Sequence, residues 1–281
     1  MPKVFAIKFT KGDQLSFDEA FKHIPIDDLN KKERSVVVKV GIFSLSKKQY
    51  STANTVNALV NSFSEAPEIF LVESNNYSGP AEKRLRIYTK VYTDRVVPFS
   101  LSNDENTREV KVADEKVALS SVIFKPNVFI STHIARRVVN VGKFEKLFNM
   151  GTILKNLLGL IPDKKKLRFH DKLPAALLDM YEAIGGIDLA VLDGTYTHLM
   201  VKKQKRKLKT NFVLVGRDAV SVDAVGSFIV GLDPMKNPVI EEAMARGLGE
   251  GDLNKIDIFG SPIEGIRQNI IQSFNDLIAT S

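Results

Sequence analysis

Two short apolar stretches, SVVVKV at residues 35–40 and EIFLVE at residues 68–73, decide the fold that this sequence predicts. Each carries mainly β-branched or large apolar side chains, a composition typical of strands that are buried on both faces of a parallel sheet. Residues 52–65 lie between them and carry apolar side chains at the spacing of one helical face. The stretch from residue 35 to residue 73 therefore predicts two parallel strands that are joined by a helix.

The same alternation continues along the chain and indicates the fold class. Further strands are expected at residues 4–9, 127–132, 187–192 and 256–259. Further helices are expected at residues 78–92, 171–184, 218–231, 237–246 and 263–278. Edge strands or a hairpin are expected within residues 95–114, and a second hairpin is expected from residues 196–201 and 208–215. Together they predict an α/β fold, with a mainly parallel or mixed sheet flanked by helices and a β-hairpin insertion. We expect a single α/β domain over residues 1–281, with two closely packed lobes as the alternative.

The composition is that of a globular protein, and it excludes several kinds of site. The chain has 281 residues, of which 44% are hydrophobic and 26% are charged. No stretch approaches the roughly 18 apolar residues of a membrane span, and the first residues lack the apolar run of a secretory signal. We therefore expect a cytoplasmic protein with no membrane partner. The chain has no cysteine, which excludes disulfides, thiol nucleophiles and thiolate-bound metals.

Positive charge is concentrated in two segments. The whole chain has a net charge of +7, and residues 133–172, with ten basic and three acidic side chains, have the same net charge by themselves. Residues 202–209 (KKQKRKLK) add six basic side chains and no acidic one. Local patches of this kind favour local anions, whereas a surface that is basic throughout would favour wrapping by nucleic acid.

The segment LKNLLGLIPDKKKLRFH, residues 154–170, places cations, an amide and an imidazole around an apolar turn. Such donors suit a phosphate or a carboxylate. We therefore predict an anionic small molecule as the partner, with Lys155, Asn156, Gly159 and Lys166 among the ligand-binding residues. The alternative is that Asn156 caps the turn and that Lys155 is only solvated.

The ends of the predicted strands supply more candidates, because ligands of parallel sheets bind at the carboxyl ends of the strands. Lys39, Glu73, Thr132 and Asp193 stand at such ends and are predicted to bind the ligand. His133 directly follows Thr132. His133 and His170 are the candidate catalytic residues, since imidazole titrates near neutral pH. The alternative for each histidine is a structural, hydrogen-bonded role.

Two aspartates raise the question of a metal. Asp193 and Asp223 are predicted to orient ligand groups or to bind a divalent cation that bridges to phosphate. The alternative for Asp223 is that it is an ordinary carboxylate in the first turn of a helix, where the helix dipole favours a negative charge. His133, His170, Asp193 and His198 have donor types that suit zinc or iron, but they lack a close spacing. A divalent cation therefore stays possible, and the identity of any metal stays open.

The lysine run at residues 202–209 is predicted to be the exposed tip of a hairpin and not the functional centre, because charges this dense need solvent. It contains no aromatic residue on which a base could stack. Nucleic-acid binding through this run and residues 133–172 is retained as the alternative function.

Several segments carry a resemblance to a known family. They are NVFISTH (127–133), LKNLLGLIPDKKK (154–166), IDLAVLDG (187–194), GRDAVSVDAVGSFIVGLDP (216–234) and GLGEGD (247–252). In this order they resemble the family known as domain of unknown function 362, which is common in archaea and bacteria. The resemblance implies no particular activity. Many members carry an appended ferredoxin-like iron–sulfur module, but a chain without cysteine lacks its thiolate ligands, so no iron–sulfur cluster is expected.

The sequence also departs from the family pattern. Family members often read Lys-Pro-Asn where this chain has KVG at residues 39–41, and many have a lysine where this chain has ST at residues 131–132. A Glu-Gly-x-Gly-Pro stretch is replaced by TYTH at residues 195–198. The departures imply a different ligand or a lost activity, so a non-catalytic structural or scaffolding member is a further alternative. Substrate, reaction and oligomeric state are left open by the sequence.

Overall fold

The computed structural model of the chain describes residues 1–8, 13–139, 149, 152–202 and 204–281. Two residues that were assigned to elements from the sequence, Phe9 in the first strand and Lys203 in the lysine run, lie outside the described residues. Over the described part of the chain, no helix is long and apolar enough to cross a membrane.

The centre of the fold is an eight-stranded sheet with the order β12-β1-β11-β10-β9-β2-β5-β6. The strands are β1 (Lys3–Lys8), β2 (Val36–Lys39), β3 (Ile42–Ser44), β4 (Gln49–Tyr50), β5 (Ile69–Glu73), β6 (Val96–Ser100), β7 (Thr107–Val112), β8 (Glu115–Ser120), β9 (Val128–Val139), β10 (Leu189–Val201), β11 (Gln204–Gly216) and β12 (Asp257–Gly260). Within this sheet β11 runs antiparallel to both of its neighbours, and the other pairs are parallel. The strand pairs β3–β4 and β7–β8 form two small antiparallel sheets.

Helices cover both faces of the large sheet. They are α1 (Asp13–His23), α2 (Ala53–Asn61), α3 (Ala81–Leu85), α4 (Leu173–Ala183), α5 (Ala219–Ile229), α6 (Pro238–Ala245) and α7 (Ile263–Ala279). One core contains Phe17 of α1, Leu59 of α2 and Leu85 of α3, and the other contains side chains of α4, α5, α6 and α7. Strand residues alternate between the two cores, because successive side chains of a strand point to opposite faces. The predicted fold class, α/β with a mixed sheet and a β-hairpin insertion, is confirmed.

The structure corrects the ends of two central strands. β9 continues to Val139 and β10 to Val201, whereas the sequence predicted ends at residues 132 and 192. The Asp193-Gly194 pair resembles a turn, but β10 continues through it with shifts of register after both residues. Gly194 is required there because a Cβ atom would lie 2.2 Å from the ring of Phe212. Beyond Ser131, β9 no longer pairs with β2, so β9, β10 and β11 project together as a three-stranded extension.

Smaller differences concern helix and turn lengths. The helix predicted at residues 78–92 is limited to α3 and the following 3-10 turn Arg86–Tyr88. The lysine run is not confined to a hairpin tip, because Val201 pairs directly with Gln204 and the rest of the run belongs to β11. Side chains cap the starts of two helices: Asp218 accepts the N–H of Ser221 at the start of α5, and Asn237 accepts the N–H of Val239 at the start of α6.

Gly41 is predicted to be required where the chain leaves β2. A Cβ atom on Gly41 would lie 2.7 Å from the carbonyl oxygen of Thr132 and 2.8 Å from the Cα atom of His133. Because backbone atoms cannot easily move, Gly41→Ala should lower the free energy of unfolding by about 1–3 kcal/mol. Gly265→Ala is the matched control, since the space around Gly265 in α7 is open within 4 Å. It should raise the same free energy by up to about 1 kcal/mol. Urea denaturation of both variants measures the two effects, and equal effects would contradict the close approach.

Candidate functional site

A cleft of about 420 Å³ lies beside the carboxyl ends of β2 and β5 and the middle of β9. Polar and charged residues form most of its lining, and these are Lys39, Glu73, Asn76, His133, Arg136, Lys155, Asn156, Lys164, Lys166 and His170. Apolar and small residues complete it, and these are Ile42, Phe43, Tyr77, Leu158, Gly159 and Leu167. Eight of the eleven candidates from the sequence therefore line one cleft; Thr132, Asp193 and Asp223 do not.

A buried ion cluster forms the floor of the cleft. The carboxylate of Glu73, at the end of β5, accepts hydrogen bonds from the ammonium of Lys39 and the guanidinium of Arg84. The side chains of Lys39 and Arg84 are 1% exposed and that of Glu73 is 4% exposed. Burial lowers the pKa of Lys39, and Glu73 opposes this shift. No pattern in the sequence distinguishes Arg84, because an arginine on a short helix is normally solvated.

Asn156 connects this floor to the turn Lys155–Leu160. Its amide nitrogen donates to the carbonyl oxygens of Lys39 at 2.9 Å and Thr132 at 3.1 Å, and to the hydroxyl of Ser131 at 3.2 Å. Its amide oxygen accepts from the ammonium of Lys39 at 3.1 Å. Asn156 thus ties the turn to the ends of β2 and β9. Its polar atoms serve the protein itself, so it positions the neighbouring Lys155.

Asp223 holds the start of the same turn. One carboxylate oxygen accepts the backbone N–H groups of Thr152 and Ile153, both at 2.9 Å, and the hydroxyl of Thr152 at 3.0 Å. The other oxygen accepts the N–H of Leu154 at 2.9 Å. Burial raises the pKa of Asp223, and these hydrogen bonds oppose the rise. The carboxylate therefore anchors the segment that carries Lys155 and Asn156.

Asp193 has a comparable role elsewhere. Its carboxylate accepts the N–H of Thr52 at 2.6 Å and that of Thr195 at 2.9 Å, which fixes the start of α2 to β10. Thr132 shares a hydrogen bond of 3.1 Å with Ser51 and supports the same region. Within the described residues, no group of three or more His, Asp or Glu side chains is arranged to hold a metal ion.

Gly159 and Ser74 each help to position one lysine of the cleft. A Cβ atom on Gly159 would lie 2.6 Å from Cε and 2.8 Å from Nζ of Lys39, so the glycine allows the buried lysine to reach Glu73. The ammonium of Lys166 donates to the hydroxyl of Ser74, which donates to the carbonyl oxygen of Gly159 at 2.5 Å. Lys166 is thereby held against the floor of the cleft.

The cations in the cleft are partly removed from water and repel one another. Burial lowers the pKa of Lys155 well below its usual range, and the charge of Arg136 lowers it further. Burial also lowers the pKa of Lys166 to about 7 and that of Arg136 to about 10. A cleft of this kind gains from the entry of a negative charge, because an anion favours the protonated forms.

Both candidate histidines line the cleft in environments that favour neutral imidazole. Burial, followed by the charge of Arg136, lowers the pKa of His133 well below its usual value. Its Nδ1 atom accepts the N–H of Ile134 at 2.7 Å, so Nε2 carries the proton of the neutral ring. Burial and the charge of Lys155 lower the pKa of His170, which is half-buried.

Apolar side chains form one wall and the mouth of the cleft. Tyr77 is 74% exposed and Leu167 is 72% exposed, which is high for large apolar residues. The rings of Tyr77 and Phe43 meet edge to face with centroids 6.1 Å apart, and the guanidinium of Arg136 lies 5.6 Å from the centre of the Phe43 ring. The sequence did not indicate these residues, because isolated aromatic side chains carry no pattern that separates a cleft from a core.

The fold and the cleft define an α/β protein with a cationic cleft at the strand ends of its sheet. The chain belongs to the family described as domain of unknown function (DUF362), whose model matches residues 36–227. All residues that line the cleft lie in the matched part, whereas the GLGEGD segment at residues 247–252 lies beyond it. No curated protein is similar enough to this chain to be matched with it.

Removal of the single carboxylate from the floor is predicted to be strongly destabilising. Glu73→Gln leaves Lys39 and Arg84 buried without a counter-charge and should lower the free energy of unfolding by about 3–5 kcal/mol. Asp163→Asn is the control, because its pair with Arg168 is 45% and 31% exposed, and such pairs contribute at most about 1 kcal/mol. Urea denaturation of both variants at neutral pH measures the difference. A Glu73→Gln protein as stable as the Asp163→Asn protein would show that the ion cluster does not support the fold.

Proposed function

We propose that the cleft binds a small molecule that carries a phosphate or carboxylate group. The observation that supports this proposal is the charge balance of the lining, which has five Lys or Arg side chains and one carboxylate. That carboxylate, Glu73, already interacts with Lys39 and Arg84. An anion that enters the cleft therefore meets an excess of cations, and because the cleft is partly removed from water their attraction is stronger than at an open surface.

Shape and position support a small ligand. A volume of about 420 Å³ falls within the roughly 300–1,000 Å³ of typical small-molecule sites. The cleft lies at the carboxyl ends of β2 and β5, where ligands of parallel sheets bind. Leu158, Phe43 and Tyr77 offer contact to an apolar part of the ligand. The expected orientation places the anionic group near Lys155 and Lys166 and the apolar part near the mouth.

Proton transfer is a second element of the proposal. His133 and His170 are neutral near pH 7 because of their lowered pKa values. His170 can accept a proton from a bound ligand, whereas His133, whose Nδ1 atom already accepts the N–H of Ile134, can donate a hydrogen bond from Nε2 to it. The alternative is binding without chemistry. We also propose that the protein is cytoplasmic, which is the location that its composition favours.

Replacement of Lys155 tests the site. Lys155→Met keeps most of the side-chain volume but removes the ammonium, and a lost charge-assisted contact should weaken binding roughly tenfold or more. The melting temperature should stay the same or rise, because a buried cation costs free energy in the absence of ligand. Calorimetric titration with inorganic phosphate and with a panel of phosphorylated and carboxylated metabolites measures the affinity. Lys31→Met, at an exposed position outside the cleft, is the control. Equal affinities for the two variants, or the absence of anion binding by the wild type, would contradict the proposal.

Anion affinity is also predicted to depend on pH through Lys166. The pKa of about 7 in the free protein lies below the ordinary 10.5, and a bound anion should raise it again. Affinity should therefore be full below the free pKa and should fall as the pH rises through the higher pKa of the complex. Sulfate is the suitable probe, because its charge is constant across this range. Titrations from about pH 6 to about pH 9 should show the fall, and Lys166→Met should reduce its size. An affinity that rises with pH would contradict the prediction.

A further inference from the structure

A row of basic side chains leads from the cleft onto the three-stranded extension. Arg136 in β9 is the pairing partner of His198 in β10, and His198 is the partner of Lys207 in β11. Residues that face one another on adjacent strands project from the same side of a sheet. Because burial lowers the pKa of His198 to about 4, this residue is neutral near pH 7, and Arg136 and Lys207 carry the charge of the row. Since adjacent strands are about 4.8 Å apart, Lys207 extends the positive charge of the cleft by roughly 10 Å.

A second segment brings more lysines to the same place. Lys47 and Lys48 are exposed in the turn between β3 and β4, more than 150 residues away from β11 in the sequence. The charge of Lys47 is the main cause of the lowered pKa of Lys205. The pKa of Lys207 is lowered by burial and then by the charge of Lys48. Lysines from two distant segments thus lie close enough for their charges to interact. We call Lys47, Lys48, Arg136, His198, Lys205 and Lys207 the basic strip.

The lysines of the basic strip lack the paired carboxylate that several other exposed lysines have. Lys22, Lys111 and Lys116 each form an ion pair with a neighbouring carboxylate. Within the described part of the chain, the four lysines of the strip take part in no such pair. The acidic group whose charge reaches Lys207 is Asp193, and its oxygens accept backbone N–H groups. Like charges that the fold holds together favour a partner with repeated negative charges.

Aromatic side chains accompany the strip. Phe43 lies where the strip meets the cleft, with Arg136 over its ring, and the exposed Tyr77 lies beside Phe43. The ammonium of Lys207 lies 3.8 Å from the centre of the Tyr196 ring. Cations that follow a backbone, together with aromatic surfaces on which bases stack, are the combination that binds single-stranded nucleic acid.

We propose that the basic strip binds the phosphate backbone of a single-stranded nucleic acid, and that Tyr77 stacks on one of its bases. This inference goes beyond the small-molecule site, because five of the six residues in the strip do not line the cleft and Arg136 is the one that does. It also gives the lysine run at residues 202–209 a role in binding phosphate groups, which Lys205 and Lys207 fill only together with the other residues of the strip.

Fluorescence anisotropy with labelled single-stranded RNA and DNA tests the inference. The variant is Lys205→Ala/Lys207→Ala, and the matched control is Lys111→Ala/Lys116→Ala, which removes two exposed lysines from the β7–β8 hairpin. The strip variant should bind at least tenfold more weakly, whereas the control should bind within twofold of the wild type. Loss of two phosphate contacts should also reduce the slope of log affinity against log salt by roughly 1.4. Tyr77→Ala should weaken binding without a change in this slope, because stacking releases no counterions.

Three results would overturn the inference. They are no binding of single strands at low salt, equal binding by the strip variant and the control, and equal competition by duplex nucleic acid or by poly-glutamate of the same length. Calorimetry with inorganic phosphate on the same strip variant separates the two sites, because Lys205 and Lys207 lie outside the cleft. If the strip variant binds phosphate normally and any of the three results is obtained, the nucleic-acid inference fails and the proposal of a small-molecule site is unaffected. Loss of phosphate binding by Lys155→Met with unchanged oligonucleotide binding supports two separate sites.

Discussion

The buried contact of Glu73 with Lys39 and Arg84 is the interaction on which the site depends. It places two cations and one carboxylate in a region that is almost closed to water, an arrangement that is rarely the most stable one available to a core. The cluster joins the ends of β2 and β5 to α3, and through Asn156 it also holds the turn that carries Lys155. A hydrophobic cluster could fill the same space, but it could not fix the turn by directed hydrogen bonds. The polar floor therefore gives the cleft a defined shape.

The cleft itself is a compromise between stability and binding. Burial lowers the pKa values of Lys155, Lys166 and Arg136, and neighbouring cations lower those of Lys155 and Lys166 further. These side chains are therefore held in surroundings that disfavour their charged forms. The rest of the fold has to supply the free energy that keeps them there. Active and binding sites commonly accept such a cost, because groups that are unfavourable in the empty site become favourable once the ligand is bound. The two carboxylates that anchor the surroundings, Asp193 and Asp223, are buried as well, but backbone N–H groups stabilise them.

Positive charge is arranged differently in the two basic regions. In the cleft the cations surround a concave space and are partly buried, which suits one compact anion. On the extension formed by β9, β10 and β11 the exposed lysines follow one another along β11, beside the buried Arg136 of β9 and His198 of β10. Arg136 belongs to both regions, since it lines the cleft and begins the row. A single net charge for the chain hides this difference, and only the positions of the side chains reveal it.

The sequence by itself determined most of the order of strands and helices, although not α1, β3, β4 or β8, and it identified most of the residues that meet in the cleft. Buried strands and amphipathic helices have strong local periodicity, and ligand sites of parallel sheets occur at strand ends, so Lys39, Glu73 and the segment at residues 154–170 could be identified from local pattern and topology. Tertiary structure alone decided what these residues contact. Asp193 and Asp223 serve as anchors for backbone N–H groups, Arg84 completes the ion cluster, and Lys47 comes close to Lys205. The physical reason is the same in each case: hydrogen bonds and charge contacts are short-ranged in space, and the segments that supply their partners are distant in the sequence.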